Sequence, residues 1–394
     1  MLISYKVKNY CSFFDLAEFD MEAPGGKVKK RFPNNYIDLE NECQLLKTAV
    51  IVGENAGGKS NFINSLKFLK SLFKNNNPVK ALGYCINTNF SEDERGQAPQ
   101  TFEIEIAADN QLIYKYELMI NMQRIISEKF SFASDKKKKR HAILEVYWDD
   151  KLKQYTISLW NASNEIREAM KKNAGSMGLF VTKLALLGNE HALALVDWMN
   201  VRLCPVAVAD AFNNDVQNDS SDIQILNDAR YLEIFRMVDY SICGISVDRE
   251  RPYSKSITIR KRENGETVGR EIQLDSTGVR EFFSWAVQIF RVVYENKIVF
   301  ADEMDRVLNP VLSDRVIAFI NGVEHGGQFV FSTHNVLHLD LKTYMKEQIY
   351  FITKERESLN SELYSLSDFP EIRYETSKIY EFYMKGILGG TAFE

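Results

Sequence analysis

Long uninterrupted hydrophobic runs are missing from this sequence of 394 residues. No stretch approaches the ~18 consecutive apolar residues that a membrane-spanning helix requires, so an integral membrane protein is not expected. The first residues, MLISYKVKNYCSFF, lack the basic-then-apolar order of a secretion signal and have the pattern of a strand. We therefore predict a cytoplasmic protein without membrane contact.

Cysteine is scarce and scattered. The five cysteines form no CxxC pair and no cysteine–histidine spacing typical of a zinc site: Cys11, Cys43, Cys85, Cys204 and Cys243. This distribution indicates a reducing compartment and argues against a structural zinc ion. With 45% hydrophobic and 26% charged residues, the chain has the composition of a folded protein whose core needs no disulfides.

An excess of positive charge is also absent, because 49 Lys and Arg face 54 Asp and Glu, for a formal net charge of −5. A chain-wide field that attracts nucleic acid is thereby excluded, although local basic clusters can still contact phosphates. Two such clusters occur, KKKKR at residues 136–140 and the basic residues between 249 and 262. For both we favour a solvated surface, and contact with nucleic acid stays open as the alternative.

The clearest motif is GENAGGKS at residues 53–60, which fits GxxxxGK[ST]. A near-continuous apolar run at 44–52 predicts a buried strand before it, and a period of about 3.6 at 61–73 predicts a helix after it. The glycines let backbone N–H groups point at phosphate oxygens, Lys59 would place its charge on the phosphates, and Ser60 would coordinate Mg²⁺. The predicted ligands are therefore ATP and Mg²⁺. The predicted phosphate-binding residues are Gly53, Glu54, Asn55, Ala56, Gly57, Gly58, Lys59, Ser60 and Asn61.

Two carboxylates end a second predicted strand. Residues 298–301 (IVFA) are apolar, and Asp302 and Glu303 follow them directly. The carboxyl end of a buried parallel strand lies at the ligand edge of its sheet. We expect Asp302 to hold Mg²⁺, directly or through water, and Glu303 to act as the general base toward an attacking water.

A histidine follows a third predicted strand at residues 328–332. His334 lies in the sequence STHN, at the position where the end of that strand should reach the same edge of the sheet. A histidine there can hydrogen-bond the γ-phosphate and respond to its presence, so we assign His334 a catalytic role. A purely structural histidine is the alternative.

The order of these motifs resembles that of ABC ATPases, in the branch shared with SMC and RecF proteins and the overcoming-lysogenisation-defect proteins. The motifs that carry the resemblance are the phosphate loop, LDSTG at 274–278, Asp302-Glu303, Asp305 and His334. Within that branch, four stretches resemble the ATPases of prokaryotic abortive-infection and antiphage systems of the Septu, PARIS and retron-associated types. These stretches are GENAGGKSN, DEMDRVLNP, STHN and YMKGILGG.

This resemblance implies a head-to-head dimer with ATP sandwiched between the protomers. Ser276 and Gly278 would contact the γ-phosphate bound by the other subunit, where a helix N-terminus is a suitable anion site. Asp305 would lie in the loop that couples the two sites, and Gln100 is the candidate for the lid glutamine. Because LDSTG stands where transporters have LSGGQ, slow hydrolysis is expected, with ATP acting mainly as an assembly ligand.

The predicted fold class is α/β: an ABC-ATPase (P-loop NTPase) head with an antiparallel β subdomain and an inserted helical subdomain. Residues 1–160 would form the N-terminal lobe with the phosphate loop and the β subdomain. Residues 161–245 would form the helical insertion, and 246–394 the C-terminal lobe with the signature, the acidic strand and His334. Two short strands are predicted at 256–262 and 271–274.

The expected function is that of an ATP-binding and hydrolysing regulatory ATPase of a bacterial antiphage or abortive-infection system. It would dimerise around ATP and control a separate effector protein. The acids Asp149 and Asp150 beside Lys151 could suggest a nuclease metal site, but a polar hairpin tip is favoured, so no second catalytic domain is expected. A DNA-repair or recombination ATPase of the RecF/SMC type that clamps DNA directly is the alternative.

Overall fold

A computed structural model describes residues 1–74, 86, 87, 89–91, 94, 97–175, 178–206, 220–304, 309–375 and 378–389. Its strands, in chain order, are β1 (Leu2–Lys8), β2 (Ala17–Asp20), β3 (Tyr36–Asp38), β4 (Gln44–Leu46), β5 (Thr48–Gly53), β6 (Gln100–Ala107), β7 (Ile113–Ile120), β8 (Ile125–Ala133), β9 (His141–Asp149), β10 (Gln154–Leu159), β11 (Leu203–Val206), β12 (Ile242–Ser246), β13 (Ile257–Lys261), β14 (Thr267–Glu271), β15 (Ile298–Ala301), β16 (Gln328–Thr333), β17 (Ile349–Lys354) and β18 (Ser361–Ser365).

The α-helices of the described residues are α1 (Val28–Arg31), α2 (Lys59–Lys74), α3 (Asn164–Lys172), α4 (Phe180–Leu186), α5 (Glu190–Asp197), α6 (Ser220–Leu226), α7 (Ala229–Phe235), α8 (Pro252–Lys255), α9 (Thr277–Glu295), α10 (Pro310–Gly322) and α11 (Ile379–Met384). Within the described part of the chain, none of the helices combines the length and the apolar character needed to cross a bilayer.

A seven-stranded antiparallel sheet in the order β10-β9-β8-β7-β6-β1-β2 forms the predicted β subdomain. Its strands alternate between buried and partly exposed residues, as in β6, because one face covers the core and the other faces outward. The buried face packs against α2 through rings such as Phe102 against Phe68, whose centroids are 5.3 Å apart.

A second sheet of six strands has the order β11-β15-β16-β5-β17-β18 and carries the predicted motifs. The pairs from β11 through β17 are parallel, and only β18 runs antiparallel to its neighbour β17. Every residue of β5 and β16 is buried. Strands covered on both faces have continuous apolar sequences, which explains the unbroken hydrophobic runs before the motifs.

Alternate residues of this central sheet enter two different cores. In β5, Ala49 and Ile51 pack in a core with α2 and the antiparallel sheet. Val50 and Val52 pack in the other core, with α9 and α10. The period of two along each strand therefore places α2 on one face of the central sheet and the two C-terminal helices on the other. The predicted α/β class is confirmed.

Three local predictions need correction. The run at 44–52 is not one strand, because β4 pairs with β3 in a separate small sheet before β5 begins. The region 161–245 is not wholly helical, because β11 leaves it and becomes an edge strand of the central sheet. The strand predicted at 271–274 is instead β14, which ends at Glu271, and residues 272–274 form a 3-10 turn.

Candidate functional site

The phosphate loop leaves the carboxyl end of β5 and curls back into α2. Ala56 and Gly58 have φ values of +60° and +119°, which close the curl. Gly53 lies so close to the next strand that a Cβ atom would be 2.3 Å from the carbonyl oxygen of Ile352. Glycine at positions 53 and 58 therefore follows from close packing and backbone conformation, in agreement with a loop whose N–H groups converge on an anion.

Lys59 lies within the curl and its side chain is buried. Its Nζ atom donates to the carbonyl oxygens of Gly53 and Glu54, both at 2.8 Å. The same nitrogen lies 3.3 Å from Nδ1 of His334. The ammonium group is thus held by the loop that would surround the phosphates.

A pair of serine hydroxyls supports the loop from outside. Ser361 of β18 donates its hydroxyl proton to the carbonyl oxygen of Gly57 at 2.6 Å and accepts from the hydroxyl of Ser12 at 2.7 Å. The Ser12 hydroxyl also accepts from Nδ2 of Asn61 at 2.8 Å. A Cβ atom on Gly58 would lie 2.3 Å from the Ser361 oxygen, so loop and support are in direct contact.

Strand register brings the three predicted motifs to one edge of the central sheet. Ala301 of β15 pairs with Phe331 of β16, which in turn pairs with Val50 of β5. Because these strands are parallel, the residues after them, Asp302 and His334, lie at the same edge as the phosphate loop. With strands ~4.8 Å apart, β15 lies roughly 10 Å from β5, which leaves room for phosphates and a metal ion between them.

Ser332 fixes the two carboxylate residues. Its hydroxyl donates to Oδ1 of Asp302 at 2.6 Å and accepts from the backbone N–H of Glu303 at 2.8 Å. Glu303 itself has a φ of +53°, a left-handed conformation that is unfavourable for a non-glycine residue. Such a conformation persists only where its surroundings enforce it, and the Ser332 bond is one of those constraints.

His334 is in direct contact with the phosphate loop. Its Nδ1 atom lies 3.1 Å from the carbonyl oxygen of Gly53, as well as beside the ammonium of Lys59. Which of these contacts the ring makes as donor or acceptor depends on its tautomer. A ligand that draws Lys59 toward its phosphates would also change the environment of this ring.

The predicted signature begins a long helix. Ser276 is the N-cap of α9, and its hydroxyl accepts from the N–H of Val279 at 3.4 Å. Ser276, Thr277 and Gly278 are exposed, so the helix N-terminus faces solvent. An exposed helix N-terminus offers free N–H groups to an anion. Asp305, the predicted coupling residue, lies outside the described residues.

These residues fit a magnesium–nucleotide complex. Lys59 supplies a cation within a curl of N–H groups, Ser60 is exposed in the first turn of α2, and Asp302 is anchored nearby. Mg²⁺ keeps several waters and phosphate oxygens as ligands and needs few from protein. Among the residues that the structure describes, no group of three or more His, Cys, Asp and Glu that could cage a metal occurs.

Sequence reasoning missed the residues that support the site. Ser332 was within the recognised STHN stretch, but its role needed the register of β15 against β16. Ser12 and Ser361 are separated by 349 residues and carry no motif. Gln100, the candidate lid glutamine, is buried at the start of β6 and donates to the carbonyl of Asn9 at 2.8 Å, and its lid role stays a prediction.

The strand order, the loop between β5 and α2 and the acidic end of β15 together define a P-loop head of the ABC-ATPase fold class. No protein-family model and no curated protein sequence matches the chain. This fold class therefore rests on the geometry of the chain itself.

Solved structures similar to this chain are head domains of SMC proteins. One is the SMC head domain from Thermotoga maritima, with 13% identity, a TM-score of 0.45, and coverage of 92% of this chain and 98% of that one. Another is an SMC head bound to the C-terminal winged-helix domain of ScpA, with 13% identity, a TM-score of 0.46, and coverage of 92% and 97%. A third, from Pyrococcus furiosus, carries an extended coiled coil and is bound to the C-terminal domain of ScpA, with 12% identity, a TM-score of 0.44 and coverage of 98% of both chains.

Proposed function

We propose that this protein binds and hydrolyses ATP, and that two protomers close around the nucleotide. The observation that carries the proposal is the common sheet edge at which the phosphate loop, Asp302-Glu303 and His334 meet. Three elements that are distant in sequence converge there with the residue types that phosphoryl transfer requires.

Each residue has a distinct role in the proposed reaction. Lys59 and the loop N–H groups hold the β- and γ-phosphates. Ser60 and Asp302 hold Mg²⁺, which when bound neutralises charge on the phosphate oxygens. Glu303 orients a water and accepts its proton, and the Ser332 bond to its backbone keeps that carboxylate near the sheet edge. His334, in contact with both Gly53 and Lys59, responds to the γ-phosphate.

The signature completes the site from the other protomer. Ser276 and Gly278 are exposed at the N-terminus of α9, where they can meet a phosphate presented by a second copy. ATP bound in the phosphate loop of one protomer would thus also contact the signature of the other and stabilise the dimer. Hydrolysis would remove this contact, and the protomers would separate.

We further propose that the ATPase is regulatory, in a bacterial antiphage or abortive-infection system, and acts on a separate effector protein. The motif resemblance supports this assignment. A second observation agrees with it, since Asp149 and Asp150 serve the β9–β10 turn. Asp149 accepts from the N–H of Lys151 at 2.8 Å, and Asp150 accepts from the indole of Trp148 at 3.0 Å.

A clamp that binds DNA directly has less support from the basic clusters. Three residues of the 249–262 stretch pair with carboxylates: Lys255 with Glu271, Arg260 with Asp239 and Asp275, and Arg262 with Glu266. The basic cluster at residues 136–140 is also paired with carboxylates. Its ion pairs are Lys136 with Glu22, Lys137 with Glu42 and Arg140 with Glu105. Paired cations release fewer counterions when they approach a phosphate backbone.

Nucleotide titration and steady-state hydrolysis test the ATPase proposal. We expect Lys59→Ala to weaken Mg·ATP binding by roughly tenfold or more, because a charge-assisted contact is worth ~1.5–3 kcal/mol. Glu303→Gln should bind ATP normally but lose turnover by about a hundredfold or more, as expected for a lost general base. Normal hydrolysis by Glu303→Gln would show that the general base is misassigned.

The regulatory assignment is tested with the purified protein alone. It should leave DNA and RNA intact, with and without Mg·ATP, because the effector is a separate chain. Nucleic-acid cleavage that is abolished by both Lys59→Ala and Asp149→Ala would instead place a nuclease in this chain.

A further inference from the structure

A buried carboxylate lies directly before the signature serine. The side chain of Asp275 is 4% exposed, and it precedes Ser276, the N-cap of α9. Its two oxygens accept from Nη2 of Arg260 at 2.9 and 2.8 Å, and Oδ2 also accepts from the Thr258 hydroxyl at 3.0 Å. A carboxylate so far from water requires such partners.

Arg260 is itself fixed from several sides. Its Nε atom donates to Asp239 at 3.0 Å and its Nη1 atom donates to the Thr258 hydroxyl at 2.7 Å. Burial acts to lower the pKa of Arg260, but the two carboxylates outweigh it and raise the pKa. The guanidinium group thus joins Asp239, which precedes β12, to Asp275, which precedes the signature. Its fork of donors suits this bridging, which a lysine could not reproduce.

The backbone continues the same connection. The 3-10 turn at 272–274 follows β14 directly, and the N–H of Ile272 donates to the carbonyl of Ser256 at 2.8 Å. The N–H of Asp275 then donates to the carbonyl of Ile272 at 3.1 Å. The signature turn is therefore an extension of the three-stranded sheet β12-β13-β14, and Arg260 of β13 is its side-chain anchor.

We propose that Arg260 is a positioning residue for the signature, which holds the turn carrying Ser276 on the three-stranded sheet and so sets the surface that meets ATP on the other protomer. This inference rests on the proposed ATP-bound dimer. It assigns to the three-stranded sheet a role in trans: the sheet of one subunit controls the nucleotide site whose phosphate loop belongs to the other.

ATP binding by a single protomer and turnover by the dimer should respond differently to a change at Arg260, whereas a general loss of structure would damage both. Arg260 bonds to the β12–β14 sheet and the signature turn, whereas the phosphate loop is supported by Ser12 and Ser361. Replacement of Arg260 should therefore impair dimer formation and turnover while a single protomer still binds ATP.

The first experiment compares Arg260→Gln with Arg262→Gln. Arg262 lies next to the same strand, but it pairs at the surface with Glu266, and both side chains are more than 60% exposed. We expect Arg260→Gln to lower the hydrolysis rate on the order of tenfold or more and to keep ATP affinity within about twofold. The buried carboxylate of Asp275 loses the guanidinium that contacts both of its oxygens and is left with Arg270, whose Nη1 atom lies 3.8 Å from Oδ1. Arg262→Gln should behave as wild type. Should Arg260→Gln fail to fold, Arg260→Lys keeps the charge without the fork and should show the same selective loss.

A mixing experiment tests the action in trans. Arg260→Gln retains its phosphate loop, and Lys59→Ala retains its signature, so a mixed dimer contains one intact site. Equimolar mixing should raise the hydrolysis rate clearly above that of either variant alone, toward roughly a quarter of the wild-type rate. A quarter is the value reached when half of the dimers are mixed and each mixed dimer carries one of two intact sites. Ser276→Arg mixed with Lys59→Ala is the reference pair.

The outcomes distinguish the two levels of the proposal. If hydrolysis is restored both by mixing Arg260→Gln with Lys59→Ala and by mixing Ser276→Arg with Lys59→Ala, the role of Arg260 in trans is supported. Restoration by the Ser276 pair alone, or wild-type hydrolysis by Arg260→Gln, overturns that role and leaves the dimer intact. Restoration by neither pair overturns the shared nucleotide site itself, and the inference with it.

Discussion

The Ser332 hydroxyl shows how one small side chain can organise a nucleotide site. It lies at the end of β16, between the strand that leads to the two carboxylates and the strand that leads to the phosphate loop. From there it donates to Asp302 and accepts from the N–H of Glu303. The carboxylate proposed to hold Mg²⁺ and the proposed general base are therefore positioned by a single group that touches neither ATP nor water in the proposed reaction.

Ser332→Ala should lower kcat by roughly tenfold or more while ATP affinity changes little. A hydrogen bond to a charged group is worth about 1.5–3 kcal/mol, and its loss also releases the strained backbone of Glu303. Steady-state kinetics and nucleotide titration measure the two effects separately. Ser71→Ala is a matched control, since that hydroxyl donates to the carbonyl of Phe68 within α2. An unchanged kcat would contradict the positioning role.

The residues that could be predicted from sequence are those whose type is demanded by local backbone chemistry. Gly53, Gly58 and Lys59 fall in a loop that needs those residues whatever surrounds it. Ser12 and Ser361 could not be predicted, because a serine is compatible with many environments. Their contact exists only after β18 and the N-terminal loop have packed on the phosphate loop.

At the scale of elements, a buried carboxylate joins the β subdomain to the helical region. Leu179, the N-cap of α4, offers no side-chain cap. Glu128 of β8 caps the helix instead of an N-cap side chain. Its carboxylate accepts from the backbone N–H groups of Phe180 at 2.8 Å and Val181 at 2.7 Å. The Tyr116 hydroxyl adds a third bond at 3.1 Å. Burial nevertheless raises the pKa of Glu128 to about 7 against these bonds.

This raised pKa predicts a pH-dependent stability. Unfolding returns Glu128 to its ordinary pKa of 4.5, so the folded state binds a proton that the unfolded state has released between pH 4.5 and about 7. Its contribution is therefore fully present below pH 4.5 and is lost as pH rises through 7, by up to about 3 kcal/mol.

Urea unfolding of wild type and Glu128→Gln, at several pH values from 4.5 to 8, measures this contribution. Because glutamine cannot titrate, the free energy of unfolding of wild type relative to the variant should fall as pH rises. The differences caused by other titrating groups cancel in this comparison. A difference that stays constant across the range would rule out titration of Glu128.

Elements were predictable where their pattern was long. The periodicity of α2 and the apolar run of β16 are continuous, and both elements occur where expected. Edge strand β11 was not predictable, because it has four residues, contains Pro205 and follows directly on a helical stretch. Its pairing with β15 comes from the tertiary fold, since nothing in its own sequence distinguishes it from a loop.

At the scale of the whole molecule, the two parts of one proposed site belong to different elements of a protomer. The phosphate loop ends a strand of the central sheet, and the signature begins α9 beside the three-stranded sheet. A second copy related by two-fold symmetry would bring each phosphate loop to the partner's signature, making the interface isologous and dependent on ATP. Nucleotide state would then be expressed as oligomeric state, which a separate effector can detect.

Light scattering of Glu303→Gln, with Mg·ATP, with Mg·ADP and without nucleotide, tests this central claim most directly. The variant should retain bound ATP. Its mass should double from that of one 45.5 kDa chain in the presence of Mg·ATP, but not with Mg·ADP or without nucleotide. Lys59→Ala should stay at the lower mass in every condition. An unchanged mass for Glu303→Gln with ATP demonstrably bound would contradict the account.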